Sequence, residues 1–411
     1  MTLTKTGFIG AAWIGALKVV IKIFSLLKLV VVARILSPQE VGWYGIVLLP
    51  YGLAEVMTES GLNQALIQSR KEIKGYLSSA WLAFIIRGIG IAGFLFFLAP
   101  WVSRYYQTDL TLAIRLISLT PLIKGLMNPA IVLFRKNLEF KKEFMFQSLA
   151  SIAESLGTIL LVWQTRSWLA LPLGTIVGGT AALLFSFVFI KFSFSRFSLA
   201  KVKELYRYGR WVTLGTLVSY LTDNGDNFVV SRVAGAYPLG LYQTAYNISN
   251  LTTTQGAGLI YQVVFPMFAK IQTDKVRLKR GLIKSLAIAF SLSFLFCAFV
   301  YLFAPLLIGL FFGVKWLAMV PALNILLIFS LTRPLYSVGS AVFDAIGVPK
   351  IIAVINLIKL IVLAILLFPL TKAYGLVGTA WAVVISQLII YPLFLIKLKK
   401  TLSVTPNLVR S

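Results

Sequence analysis

Ionisable side chains at mid-depth in long apolar segments are the residues of this sequence best suited to chemistry. A charge inside hydrocarbon is costly, so each one found there is a candidate for function. The deepest are Lys18, Lys22, Arg87, Lys124, Glu55 and Glu154. Nearer the segment ends lie Lys28, Glu59, Asp223, Asp226, Arg333 and Lys359. Because cations outnumber acids in the deeper group, the pattern predicts a site for an anion.

Lys18 and Lys22 are four residues apart and therefore share one face of a helix. Two ammonium groups stacked in lipid repel each other, so we expect this face to meet water or an anionic ligand. The alternatives are that both side chains extend toward the interface or pair with Glu55 and Glu154. For Lys28, extension toward the interface is the expected arrangement.

The other cations in these segments leave two interpretations open. Arg87 and Lys124 either pair with an acid or contact a substrate. Arg333 and Lys359 either contact a substrate on its entry side or extend toward the membrane interface. We predict all four, together with the Lys18–Lys22 face, as substrate-binding residues.

The acids suggest ion coupling or charge pairing. Glu55 and Glu59 share a helix face, and Asp223 and Asp226 lie in a polar patch of a later segment. These four, with Glu154, are predicted either to carry protons or Na⁺ or to neutralise the cations. No cofactor is expected, because the chain has no histidine and a single cysteine, which removes the usual metal ligands and any disulfide.

The elements that position these residues are transmembrane helices. The sequence is 59% hydrophobic and 13% charged, with a mean hydropathy of +0.88. Its apolar segments are long enough to cross about 30 Å of hydrocarbon, where only a helix satisfies its own backbone. An all-α membrane protein with twelve spans is predicted, near residues 8–33, 43–66, 77–101, 112–134, 144–164, 168–190, 208–232, 240–266, 282–312, 316–343, 351–371 and 376–398.

The basic residues orient these spans. Of the 39 lysines and arginines, 25 lie at the two termini or in even-numbered gaps, and 7 lie in odd-numbered gaps. Positive charge marks the cytoplasmic side, so both termini are predicted to be cytoplasmic in a multi-pass protein of the cell membrane. The net charge of +26 is then an orientation signal with some affinity for anionic lipids, and no nucleic acid is expected as a partner.

A short internal repeat divides the chain into halves. The segment Arg34–Tyr44 matches Arg232–Tyr242 with arginine, glycine and tyrosine in register, at an offset of six predicted spans. Two six-helix bundles related by a pseudo-two-fold axis along the membrane normal are therefore predicted, with substrate between them. The predicted domains are a bundle at 1–192, a basic linker at 193–207, a second bundle at 208–400 and a cytoplasmic tail at 401–411.

The segments Ala33–Tyr44, Asp226–Arg232 and Pro238–Tyr242 resemble the polysaccharide transporter branch of the multidrug/oligosaccharidyl-lipid/polysaccharide flippase superfamily. This branch includes the Wzx-like flippases of O-antigen and exopolysaccharide. The resemblance implies a non-enzymatic flippase that moves an undecaprenyl-diphosphate-linked oligosaccharide outward by alternating access. It also implies that helices 1, 2, 7 and 8 line a central cavity, which suits Lys18, Lys22, Glu55 and Asp223. Among protein partners, the sequence leaves open a polysaccharide polymerase or other export machinery.

Two other functions stay open from the sequence. A cation-coupled multidrug exporter of the same superfamily should have an acid-dominated cavity, whereas the deepest charges here are net basic. A membrane glycosyltransferase or polymerase acting on the same lipid carrier should have acidic or histidine catalytic residues in a sizeable outer loop. The chain has no histidine and no such predicted loop.

Overall fold

The computed structural model describes residues 3–58, 74–191, 198–251, 258–348 and 350–403. Within these ranges the protein is helical and contains no β-strand. The chain forms two compact units, Met1–Gly225 and Asp226–Ser411. The all-α prediction is confirmed.

The first unit contains helices α1 to α8 and most of α9. Their bounds are α1 Leu3–Ile35, α2 Pro38–Met57, α3 Lys74–Tyr106, α4 Thr111–Ile117, α5 Leu119–Leu126, α6 Val132–Lys136, α7 Phe140–Thr165, α8 Ala170–Phe189 and α9 Leu199–Val233, with a 3₁₀ turn at Pro129–Ile131. Helix α7 packs against both α1 and α8, and α3 packs against α5. Helix α9 begins at Leu199, so the later part of the segment predicted as a linker is helical.

The second unit continues from α9 through α10 to α14. Their bounds are α10 Ala236–Ser249, α11 Gly258–Lys270, α12 Lys275–Phe311, α13 Val320–Ala345 and α14 Lys350–Ser403, with a 3₁₀ turn at Val314–Met319. Helix α13 packs against α11, α12 and α14. The long element α14 bends at Gly375, whose backbone angles of φ 55° and ψ −131° suit glycine. This bend falls in the gap predicted between 351–371 and 376–398.

Six of the described helices are long and apolar enough to cross a membrane. A seventh span is formed if the bent pair Thr111–Leu126 and Pro129–Lys136 counts as one. The protein is therefore a multi-pass membrane protein. The total of twelve spans in two bundles stays a prediction.

The repeated motif marks a helix-to-helix turn in each half. In the first copy, Ser37 caps α2: its Oγ accepts a hydrogen bond from the Glu40 backbone N–H at 3.3 Å, and Glu40 Oε2 accepts from the Ser37 N–H at 2.8 Å. In the second copy Gly235, at φ 93°, immediately precedes α10. Arg34 and Arg232 lie in the last turns of α1 and α9, where the helix dipole favours a cation.

The predicted span 112–134 is broken, contrary to the single helix expected. The two parts of the bent pair meet at 70°. Asn128 holds the break: its Nδ2 donates to the carbonyls of Ser186 at 3.2 Å and Ile190 at 2.7 Å, and its Oδ1 accepts from Ala130 N at 2.9 Å. Pro129 cannot continue the hydrogen bonding of α5, which explains why the helix ends here.

Candidate functional site

A shared carboxylate joins three helices of the first unit. Glu55 on α2 accepts from Arg87 Nη2 of α3 at 2.8 Å through Oε2, and from Lys124 Nζ of α5 at 3.3 Å through Oε1. We call Glu55, Arg87 and Lys124 the three-charge cluster. With two cations and one acid, it carries a net charge of +1.

Neutral groups complete the coordination of both cations. Arg87 also donates from Nη2 to the Glu55 carbonyl at 2.7 Å and from Nε to Thr58 Oγ1 at 3.1 Å. Lys124 donates to the Tyr51 hydroxyl at 2.7 Å, and its Nζ lies 5.3 Å from that ring's centroid. The Arg87 side chain is 20% exposed and that of Lys124 is 50% exposed. Lys124 is therefore the more accessible of the two cations.

Two glycines set how closely the helices that carry these cations approach. A Cβ on Gly88 would lie 2.5 Å from the Pro121 carbonyl oxygen, and one on Gly125 would lie 2.6 Å from the Phe84 carbonyl oxygen. Only glycine permits such contact, as is common where membrane helices cross. Each glycine directly follows a cation of the cluster, so this crossing positions Arg87 and Lys124.

A cavity of about 190 Å³ opens beside the three-charge cluster. Its walls come from α2, α3, α5 and the break that follows α5, and they include Glu55, Arg87, Lys124, Ile91, Met127 and Asn128. The volume is that of a few water molecules, or of a small anionic group such as a phosphate. A net cationic wall beside apolar residues favours an anion there, because attraction between charges grows as water is excluded.

The other predicted residues of the first unit lie apart from this cluster. Lys28 Nζ forms an ion pair with Glu154 Oε1 at 2.7 Å, so its expected extension toward the interface is replaced by pairing. Lys22 is half-buried in α1. Lys18 belongs to α1 but its side chain lies outside the described residues, as does Glu59. The predicted Lys18–Lys22 face therefore stays a prediction.

The polar patch of α9 separates into an exposed and a buried acid. Asp223 is exposed, whereas Asp226 is 3% exposed and accepts from the Tyr242 hydroxyl at 2.5 Å and from the Asn227 N–H at 2.8 Å. The side-chain oxygen of Asn227 is buried and has no hydrogen-bond partner among the described residues. Asp226 and Tyr242 both belong to motifs singled out in the sequence.

Arg333 and Lys359 meet at one aromatic ring of the second unit. Arg333 Cζ lies 5.4 Å and Lys359 Nζ 5.1 Å from the centroid of Phe329. Arg333 Nη1 also donates to Asn250 Oδ1 at 3.2 Å. The sequence suggested contact with a substrate or extension toward the membrane interface for these two residues. Cation–π contact with this buried ring is a third arrangement.

The sequence interpretation missed several residues that form these polar contacts. Tyr51, Thr58 and Asn128 are neutral, and only their polarity within an apolar segment could have marked them. Asp344, near the end of α13, accepts from the Tyr261 hydroxyl at 2.6 Å and was also overlooked. Among the described residues no group of three or more histidines, cysteines or acids could hold a metal ion.

Two solved structures of transport proteins show a similar arrangement of helices. The lipid II flippase MurJ, in an inward closed conformation, gives a TM-score of 0.78 at 17% identity, covering 97% of this chain and 88% of its own. An inward-facing multidrug resistance MATE transporter of the MOP superfamily gives 0.75 at 15% identity, covering 93% and 95%. The protein shares its fold with both of these structures.

Sequence comparison places the chain more narrowly. A family model described as polysaccharide biosynthesis protein matches residues 31–321, and the chain belongs to this family. The lipopolysaccharide biosynthesis protein WzxC of Escherichia coli strain K12 is 29% identical over 348 residues, which cover 83% of this chain and 70% of WzxC. The resemblance predicted from the sequence is confirmed, and with it the prediction of a transporter and not an enzyme.

Proposed function

We propose that this protein is a flippase that moves an undecaprenyl-diphosphate-linked oligosaccharide from the cytoplasmic to the outer leaflet for polysaccharide export. The three-charge cluster carries the proposal, because it presents a net positive charge to a cavity among apolar helices. A diphosphate needs such a partner in a low-dielectric region, where a charge is costly alone. Related proteins are named for lipopolysaccharide biosynthesis and for flipping lipid II.

The cluster is suited to bind and release an anion. Glu55 holds both cations in place while the cavity contains only water, so neither cation is left unpaired. An arriving phosphate would compete with Glu55 for Lys124, whose contact is the longer and whose side chain is the more exposed. Arg87, with two bonds to Glu55 and one to Thr58, would remain fixed. Release would follow when Glu55 regains Lys124.

The proposed cycle is alternating access, in a cell membrane with both termini cytoplasmic. The charge distribution of the sequence supports this orientation, since 25 of the 39 basic residues fall on the proposed cytoplasmic side. The bend at Gly375 and the break at Asn128 are places where helices could change direction during such a cycle.

The direct test is flipping in reconstituted vesicles. Sugar reaching the far leaflet would be measured by its cleavage with an added glycosidase that cannot cross the bilayer. Lys124→Gln should lower the initial rate about tenfold or more, because one charge-assisted contact with a phosphate is lost. Arg115→Gln is the matched control: this exposed cation lies over Phe96, outside the cluster, and its loss should change the rate less than about twofold.

Two results would overturn the proposal. One is an undiminished rate in Lys124→Gln vesicles. The other is equally fast flipping of the same oligosaccharide on an uncharged lipid, since the cluster would then have no anion to bind. Export of a cationic drug by the same vesicles would instead support the multidrug exporter.

We further propose that transport is coupled to a proton or sodium gradient through Asp226. This carboxylate is buried, and the buried Asn227 oxygen beside it has no partner among the described residues. In an Asp226→Asn variant, flipping should lose its dependence on an imposed gradient, while Asp109→Asn, at an exposed acid outside the predicted coupling residues, serves as control. Rates in wild-type vesicles that ignore both gradients would show that Asp226 has a structural role.

A further inference from the structure

One end of the second unit is assembled on a single apolar cluster. The cluster contains Phe268 from the end of α11, Leu278 and Leu282 from the start of α12, Phe343 from the end of α13, and Leu398 from the end of α14. Each is 6% exposed or less. Four helix ends that are far apart in sequence therefore meet at one end of this unit.

Exposed cations surround this apolar cluster. They follow or precede its residues along the chain and point outward, and we call them the basic collar: Lys270, Lys279, Arg280, Lys284, Lys350, Lys397, Lys399 and Lys400. The acid nearest in sequence, Asp274, is engaged with Arg277: it accepts from the Arg277 N–H at 3.0 Å and forms an ion pair with the Arg277 side chain at 3.1 Å. The collar is a strongly positive surface.

Helix α12 is too long to lie wholly within hydrocarbon. Its 37 residues span about 55 Å, against a hydrocarbon thickness of about 30 Å. Its first ten residues carry the charges, so they extend into the headgroup region. Val276 and Ile283, 61% and 55% exposed, alternate with Arg280 along the outward stripe of these turns. Such mixing of apolar and basic side chains is typical of helices at a membrane interface.

Three cations of the collar differ from the basic residues at the turn before α7. There Arg135 pairs with Glu143, and Lys142 pairs with Glu139 at 2.5 Å. The hydrogen bond from Lys142 lowers the pKa of the Glu139 carboxyl, which favours the ionised form of that carboxyl.

In contrast, Lys279, Arg280 and Lys284 form no ion pair with any residue that the structure describes. Their charge is available to an external anion. Orientation of the chain in the bilayer needs positive charge on one side but does not need it gathered around one apolar cluster.

We propose that the basic collar is a docking surface for the anionic headgroups of phospholipids in the cytoplasmic leaflet. The proposal relies on the orientation given above but not on the flipping of any cargo. The collar lies where a long helix leaves the hydrocarbon, which is the depth of the phosphates, and its charge is opposite to theirs. Headgroup binding would hold this end of the second unit at the membrane surface.

Lipid preference of the purified protein tests this proposal without any transport step. The full chain in detergent micelles would be titrated with phosphatidylglycerol or phosphatidylcholine, and bound lipids counted by native mass spectrometry. The test variant is K279Q/R280Q/K284Q. The control is K279R/R280K/K284R, which keeps three positive charges at the same positions.

Each basic residue near an anionic surface contributes about fivefold to binding, so the glutamine variant should lose its preference for phosphatidylglycerol by about tenfold or more. The arginine–lysine control should keep the wild-type preference, and added salt should weaken it in both. An unchanged preference in the glutamine variant, or an equal loss in the control, would overturn the proposal. The proposal would also be overturned if the wild-type protein bound an acidic cytoplasmic protein but showed no preference between the two lipids. Wild-type protein that prefers phosphatidylglycerol but does not flip the oligosaccharide would count against the proposed function alone.

Discussion

The shared carboxylate predicts unequal coupling of Glu55 to its two cations. Arg87 and Lys124 contact different oxygens of Glu55, and the charge on any of the three residues can be removed by substitution with glutamine, which is uncharged. A double-mutant cycle for each pair isolates the pairwise free energy from the other effects of the substitutions.

The geometry gives the expected magnitudes. The Glu55–Arg87 contact is 2.8 Å long and both side chains are about one-fifth exposed. Attraction of several kcal/mol at this distance, less the cost of desolvating both charges, leaves a coupling of about 2 kcal/mol. The Glu55–Lys124 contact is 3.3 Å long and its lysine is half-exposed, which places it among solvent-accessible pairs at about 0.5 kcal/mol.

The coupling would be measured from the free energy of unfolding in mixed detergent micelles. The four proteins of each cycle are wild type, E55Q, the cation variant and the double variant. A third cycle with Lys142→Gln is the control, because Lys142 pairs with Glu139, and its coupling to Glu55 should be near zero. A Lys124 coupling equal to or larger than that of Arg87 would refute the geometry, as would two couplings indistinguishable from the control.

Two further predictions concern how the site is held. Gly125→Ala should lower the free energy of unfolding by about 1–3 kcal/mol, because its Cβ would meet the Phe84 carbonyl, whereas Gly93→Ala meets no atom within 4 Å and should be nearly neutral. Equal thermal stability of these two variants would contradict the close crossing. Asn128→Ala should cost about 2 kcal/mol and speed amide hydrogen exchange at the end of α8, because the Ser186 carbonyl loses its donor; unchanged exchange there would contradict the assigned role.

The sequence predicts the helices and the deep charges better than their partners. Apolar segments of sufficient length identify most helices, and the Ser37–Glu40 spacing is typical of a helix start. The break at Asn128 was missed because the segment is apolar on both sides, although Pro129 was a signal. A neutral amide that holds the break leaves no periodic pattern.

Pairing of charges depends on helix packing, which local patterns do not encode. Glu55 is 32 residues from Arg87 and 69 from Lys124. Their contact depends on the close approach of α3 and α5 at Gly88 and Gly125. The sequence left open whether these two cations pair with an acid or contact a substrate. In the structure both of them pair with Glu55. Lys28 was expected to extend toward the interface because local patterns do not indicate its partner, Glu154, which lies 126 residues away in sequence.

The close approach of α3 and α5 at their two glycines also constrains which ligands the site can bind. Close contact between two helices at two reciprocal points resists sliding, so we expect α3 and α5 to move as one body. Arg87 and Lys124 are attached to that body one residue from the contact points. We therefore expect the spacing between their Cα atoms to change little during transport, so that the site would select a ligand by the spacing of its negative charges as well as by their number.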